Sequence, residues 1–400
     1  MIRNLSFVSF AFFYANLTGY IFHFFVSRSL GASGYGEFMV LYSLMLTVGN
    51  FINLFANACV REFVKYRENA HSLLRYMRYI GLFLGFMFLF VGVVLSPFLK
   101  EFLKISNLYY IWILAGVWFF QFPVVIERAY LQSLEKFKDI SLSLVYEQSV
   151  RLISVFILIY SGLGLEGALI SSSFGLSVAL FLLLSKNRNF TGNIKSLPFK
   201  DILKTSLFAS PVGFLVYSDD LFIRRVFDPH TAGLYASVSL TGKVFVWLTV
   251  TSVSVFFPKF VRYRKDMRAI KKLFFKAFLL VSLLFVVIEV LLFSFGKYVF
   301  VALFSEKFLP AYSFLPIYVL CILPLIFSLI FVYLLTALGR NMLLIYTHVL
   351  FYYAGFLVLP FYSINGYMFY IMFINLCFVL VYAFTLFQGE RDSGKLKLPI

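Results

Sequence analysis

Charged residues are scarce in this chain, at 13%, and acidic ones are scarcest, with 18 Asp and Glu against 35 Lys and Arg. A soluble globule could not cover its surface with so few polar groups. Cysteine is almost missing: Cys59, Cys321 and Cys377 lie in apolar stretches without redox or metal spacing, which excludes a disulfide scaffold or a thiolate metal centre. The four histidines, His23, His71, His230 and His348, are scattered. There is no glycine-rich phosphate loop and no nucleophile–base spacing, so neither a cofactor nor a metal is expected.

What is abundant is apolar. Hydrophobic residues make up 62% of 400, and mean hydropathy is +0.91. The apolar runs are near twenty residues long and do not alternate, so they read as membrane helices rather than barrel strands. Twelve candidate spans lie at about 5–27, 37–60, 79–96, 108–126, 140–160, 164–184, 205–227, 233–257, 273–295, 312–335, 343–362 and 366–387. The first is too long for a cleaved leader and lacks a small-residue cleavage pattern, so it reads as a retained span.

The sequence repeats itself once. Arg28 precedes Gly36-Glu37-Phe38 by the same eight residues that separate Arg225 from Gly233-Leu234-Tyr235, and Phe63-Val64-Lys65-Tyr66-Arg67 returns as Phe260-Val261-Arg262-Tyr263-Arg264. All three features share an offset of 197 residues. The expected fold is therefore an all-α polytopic membrane protein with two parallel six-helix repeats, 1–197 and 198–400, around a central cavity. Function is expected between the halves, and one chain already supplies both, so a monomeric transport unit is expected.

Net charge is +17. With both termini in the cytoplasm, 25 of the 35 Lys and Arg fall on the inner side, which is the positive-inside bias. The basic runs at 61–78 and 258–272 then read as topology determinants touching anionic lipid headgroups rather than nucleic acid. No outer connection exceeds about fifteen residues, so the large outer loop of a membrane polymerase or ligase is missing.

The Arg28-Ser-Leu-Gly31 turn leading to Gly36-Glu37-Phe38, its echo at Arg225 to Tyr235, and Leu338-Gly339-Arg340-Asn341 resemble bacterial polysaccharide-export flippases. These form the Wzx-type branch of the multidrug/oligosaccharidyl-lipid/polysaccharide (MOP) exporter superfamily. The resemblance implies a multi-pass protein of the bacterial cytoplasmic (inner) membrane. It implies movement of undecaprenyl-pyrophosphate-linked oligosaccharide units, O-antigen or related, to the outer leaflet, beside a polysaccharide polymerase and a chain-length regulator. A drug or small-cation exporter of the same superfamily is the alternative, and would carry an acidic cavity.

Intramembrane charges are costly and mark pathways or pairs. Arg28 and Arg225 either face each other as a phosphate-binding pair or brace the outer turns. Arg224, Lys243 and Arg151 extend that cationic field. Lys243 has no acid in its own span, whereas Arg151 lies four residues after Glu147 and reads first as half of an intrahelical pair. Asp220 is placed to pair with Arg224, leaving Asp219 without a local partner, and His23 occupies the position of Asp220 in the first repeat. Asp219, Asp220 and His23 are thus candidates for proton coupling. Asn50, Asn53 and Asn57 share one helical face and, with Asn16, suit either sugar hydroxyls or helix bridging. Glu289 is solitary, and Pro211, Pro316 and Pro324 are expected to loosen their spans. The many Tyr and Phe read as lipid-facing.

Overall fold

The computed structural model describes residues 2–66, 69–186, 202, 212–254, 256–263, 266–338 and 342–393. Pro211, Arg67, Arg264 and the Gly339-Arg340-Asn341 part of the motif lie outside them. Helices account for nearly all described residues, and no strand occurs among them.

Two compact units are formed, one from Met1–Ala209 with Leu221–Gly233, the other from Ser210–Asp220 with Leu234–Ile400. In the first, α1 runs over Ile2–Lys65 and is broken only at Gly31, whose φ of 66° and ψ of −177° suit a residue without Cβ. The turn expected after Arg28 is therefore a kink within one continuous helix. Helix α2 (Ala70–Phe102) and α3 (Tyr109–Ser133) pack along their lengths. Gly81, Gly85 and Gly92 line the contact, where added Cβ atoms would lie 2.5–2.8 Å from Ile126, Phe119 and Ala115. The opposite face of α2 exposes Phe83, Phe86 and Phe90, as a lipid-facing surface would.

Helix α4 (Phe137–Leu158) passes through a π turn at Ile159–Leu163 into α5 (Gly164–Lys186), with Gly162 and Gly164 at positive φ. α4 packs on α5 and on α1, and α3 packs on α1 and α5. Since a crossing needs about 20 residues, the 56-residue and 50-residue apolar stretches Phe10–Lys65 and Phe137–Lys186 each supply two.

The helix α6 (Val212–Val226) gives its start to the second unit and its end to the first. It is followed by α7 (Pro229–Ser254), the short α8 (Phe257–Arg262) and α9 (Met267–Phe304). A 3-10 segment, Glu306–Phe314, leads to α10 (Leu315–Leu338), α11 (Met342–Val358) and α12 (Ile364–Ser393). α10 packs chiefly on α12, with α9 against α10 and α11 against both. Pro324 is inside α10, but Pro316 is its second residue, in the first turn where no backbone bond is lost. It starts the helix and does not loosen it.

Candidate functional site

In the second unit the polar centre is built from α6 and α7, closed by α10 and α12. Asp219 and Asp220, on α6, are each 2% exposed, and Lys243, on α7, is 5% exposed. Lys243 Nζ donates to Asp219 Oδ1 at 2.7 Å and also to an oxygen of Asp220. The other Asp219 oxygen, Oδ2, accepts from Tyr235 Oη at 2.9 Å and Tyr318 Oη at 2.8 Å, while its backbone carbonyl accepts from Tyr367 Oη at 2.6 Å. Gly242 admits the Tyr318 ring, because a Cβ there would lie 2.5 Å from Tyr318 Cδ1.

Two sequence expectations are corrected by this cluster, while Asp219, without a partner on its own helix as expected, takes its partners from α7, α10 and α12. Asp220 pairs with Lys243 and not with Arg224. Lys243 is no free cavity cation, because two carboxylates neutralise it. The reason is the same in each case: a buried charge is stable only when paired, and the partner came from the neighbouring helix.

The first unit carries the opposite chemistry. Arg151, on α4, lays its guanidinium over the ring of Phe22 at 4.0 Å and faces Tyr42 at 5.5 Å, both on α1. Its Nε and Nη2 are buried without a hydrogen-bond partner. The pair with Glu147 does not form. Glu147 Oε2 instead accepts from Arg128 Nη2 at 2.6 Å, and its Oε1 from Gln148. Among the described residues no carboxylate is within ion-pair distance of Arg151. Gly175 on α5 brings this part of α4 close, since its Cβ would sit 2.6 Å from the Glu147 carbonyl and 3.2 Å from Arg151 Cβ.

Beside Arg151 stands His23, 4% exposed, with Tyr35 Oη 3.2 Å from Nδ1 and the rings of Phe22, Phe38 and Tyr42 edge-on around it. The repeat offset maps Phe22-His23 onto Asp219-Asp220, Phe38 onto Tyr235 and Arg151 onto His348. The same framework thus holds an aromatic-caged cation in one unit and an acid–lysine cluster in the other.

The remaining candidates are dispersed. Arg28 covers Phe24 of its own helix at 4.2 Å, and Arg225 covers Phe102 at 4.4 Å, so each guanidinium rests on a separate ring. Arg224 is buried, donates from Nη2 to the Lys104 carbonyl at 3.3 Å, and stands in the field of Glu37, which accepts the Ser106 N–H. Asn53 and Asn57 are exposed, whereas Asn50 is half-buried with Nδ2 unpartnered. Asn16 donates to the Phe12 carbonyl within its helix, and Glu289 is half-buried on α9. The repeat glycines themselves meet: a Cβ on Gly36 would lie 2.6 Å from Gly233 N, and one on Gly233 only 1.7 Å from the Ala32 carbonyl oxygen.

Residues 1–264 match the family described as polysaccharide biosynthesis protein. The chain belongs to this family. No curated protein matches the sequence. In fold this polysaccharide biosynthesis protein is similar to an inward-facing multidrug resistance MATE family transporter of the MOP superfamily, with TM-score 0.75, 13% identity and 96% of each chain covered. It is similar to the Vibrio cholerae MATE transporter VcmN in its bent form, at TM-score 0.62 and 16% identity over 98% of this chain and 99% of that one. A MOP superfamily transporter from Pyrococcus furiosus, reported for the reverse polarity of its binding pocket, matches at TM-score 0.57 and 14% identity over 98% and 97%. The fold is that of MOP-superfamily transporters.

In this polysaccharide biosynthesis protein the tyrosines of the acid–lysine cluster escaped the sequence reading. Tyr235 was visible as the third residue of the second repeat signature, but Tyr318 and Tyr367 carry no local mark among 26 tyrosines. The Arg128 that takes Glu147 from Arg151 lies on α3, outside any periodicity of α4.

Proposed function

We propose that the protein moves an undecaprenyl-pyrophosphate-linked oligosaccharide from the inner to the outer leaflet of the bacterial cytoplasmic membrane by alternating access, as one chain with both termini cytoplasmic. The observation that carries this reading is Arg151. A guanidinium within the helical unit, with no ion-pair partner among the described residues and two buried nitrogens unpartnered, is suited to an anion. A pyrophosphate supplies paired oxygens that match the planar fork. Asn50, with its unpartnered Nδ2, and the exposed Asn53 and Asn57 suit glycan hydroxyls. Membership of a polysaccharide biosynthesis family supports the glycan, and its pathway would bring a polymerase and a chain-length regulator as partners.

Energy coupling is assigned to Asp219 and Asp220. Two buried carboxylates share one ammonium, so a further positive charge completes neutrality, and a proton is the smallest that fits. His23, whose charged neighbour is Arg151, is assigned to positioning that guanidinium.

The test is leaflet translocation of undecaprenyl-pyrophosphate-linked oligosaccharide in liposomes. Arg151→Ala is expected to reduce the rate at least a hundredfold and Arg151→Lys to restore part of it. Equal rates for wild type and Arg151→Ala would remove the reading.

A further inference from the structure

Four buried polar atoms of the second unit outside the cluster described above lack a hydrogen-bond partner; Thr249 Oγ1 stands on α7, and the other three are His348 Nε2, Tyr352 Oη and Asn375 Oδ1. All three residues are 0% exposed. They are neighbours. Asn375 on α12 stands close enough to interact with both His348 and Tyr352 on α11, and the imidazole is perpendicular to the Tyr352 ring at 6.3 Å. Their other polar atoms are engaged: Asn375 Nδ2 donates to the Ile371 carbonyl at 2.7 Å, and His348 Nδ1 lies 3.0 Å from Tyr382 Oη. The three atoms are therefore the free ends of one polar group, of the kind that ordered water satisfies where there is room for it.

This group reaches the acid–lysine cluster through ring contacts. Phe356 packs between Tyr352 at 5.1 Å and Tyr367 at 4.9 Å, and Tyr367 is bonded to the Asp219 carbonyl. At the far end, Tyr382 stands between the imidazole of His348 and Phe331 of α10. The groups facing the carboxylates are Lys243 and Tyr235 from α7, Tyr318 from α10, Tyr352 and Tyr353 from α11, and Tyr367 from α12. Those facing His348 are Tyr352 of its own helix and Asn375 and Tyr382 of α12.

We propose that His348, Asn375 and Tyr352 hold ordered water and that this hydrated chain carries protons between Tyr382 and the Asp219–Asp220 pair. The proposal rests on the assignment of coupling to that pair. Each hop breaks one N–H or O–H bond as it forms another, so atoms and charge balance and no other reactant is needed. The imidazole receives a proton at one nitrogen and releases it from the other. Water and the Tyr352 hydroxyl each donate and accept, and the Asn375 carbonyl oxygen orients the water without being protonated. The repeat adds a contrast: His348 occupies the position of Arg151, so an imidazole that exchanges protons stands where the first unit has a guanidinium that does not.

The test is time-resolved infrared spectroscopy of the whole protein in liposomes after a downward pH jump, reading the carbonyl stretch of a buried carboxylic acid. The wild type should gain that band, and Asp219→Asn with Asp220→Asn should abolish it. Tyr352→Phe and His348→Gln should leave its final amplitude unchanged and slow its rise at least tenfold. A band that rises at the wild-type rate in both variants overturns the chain while leaving the coupling pair intact. A variant that loses the amplitude also overturns it, by making the residue part of the proton site rather than its path. A wild type without the band removes the coupling assignment and the chain together.

Discussion

Replacing Lys243 by methionine isolates the strongest energetic claim made by the second unit. The side chain keeps its length and loses its charge, so two carboxylates that share one ammonium at 2.7 Å and closer are left buried and alone. Removing one partner of a buried ion pair costs about 3–5 kcal/mol, chiefly the cost of the stranded charge. Here two charges are stranded on adjacent residues, so the upper end of that range is expected, roughly a few thousandfold in the folding equilibrium. Reversible unfolding in mixed micelles, followed by tryptophan fluorescence, measures it. The decisive comparison is the triple variant Lys243→Met, Asp219→Asn, Asp220→Asn. It is neutral and nearly isosteric, and its amide oxygens still accept from Tyr235 and Tyr318, so most of the loss should return. A single variant within about 1 kcal/mol of wild type, or a triple variant no more stable than the single, would show that Lys243 does not hold the two carboxylates.

Arg128→Ala should release Glu147 to pair with Arg151 four residues on, lowering translocation as much as Arg151→Ala, and adding Glu147→Gln should restore it; unchanged transport in Arg128→Ala would count against the competition. Gly233→Ala forces a Cβ to 1.7 Å from a backbone oxygen and should cost about 3 kcal/mol or more. Gly116→Ala, with nothing within 4 Å, should be neutral, and a thermal-shift comparison separates them. Asp228 accepts from the His230 and Thr231 N–H groups at the start of α7, and the bond to Thr231 holds its carboxyl below the usual range. Asp228→Ala should therefore cost about 1 kcal/mol at neutral pH. Because the folded value is depressed, that contribution is present above about pH 4 and disappears as pH falls through the folded value, so wild type and variant should converge there.

Backbone features were more legible in the sequence than charge pairing. The repeat picked out Gly36 and Gly233 before either was known to be a close contact, because a residue without a side chain leaves its mark in spacing alone. It also marked Tyr235, and the Arg28-Ser-Leu-Gly31 motif marked Gly31. Charge pairing was misread wherever the partner lay on another helix. Glu147 stood at the right distance along α4 to claim Arg151, and nothing in α4 records that Arg128 reaches it first. Lys243 looked unpaired because its acids are 23 and 24 residues away, beyond any helical period. The orphaned atoms of His348, Tyr352 and Asn375 were invisible for a further reason: an unsatisfied group is defined by what surrounds it in three dimensions.

The acid–lysine cluster also bears on how the protein enters its membrane. Helix α6 packs Asp219, Asp220, Arg224 and Arg225 into fifteen residues, and each aspartate near the middle of an inserting segment opposes partition by about 2.5–3.5 kcal/mol. Such a helix is a poor substrate for insertion by itself. Helix α7 carries the lysine that opposes insertion in the same way. Joined by the short Asp228 turn, the two bring Lys243 to its carboxylates only as a hairpin, so the translocon has to release them into lipid together. Assembly of the second half of the protein then begins with a completed ion pair, before α9 to α12 have been synthesised.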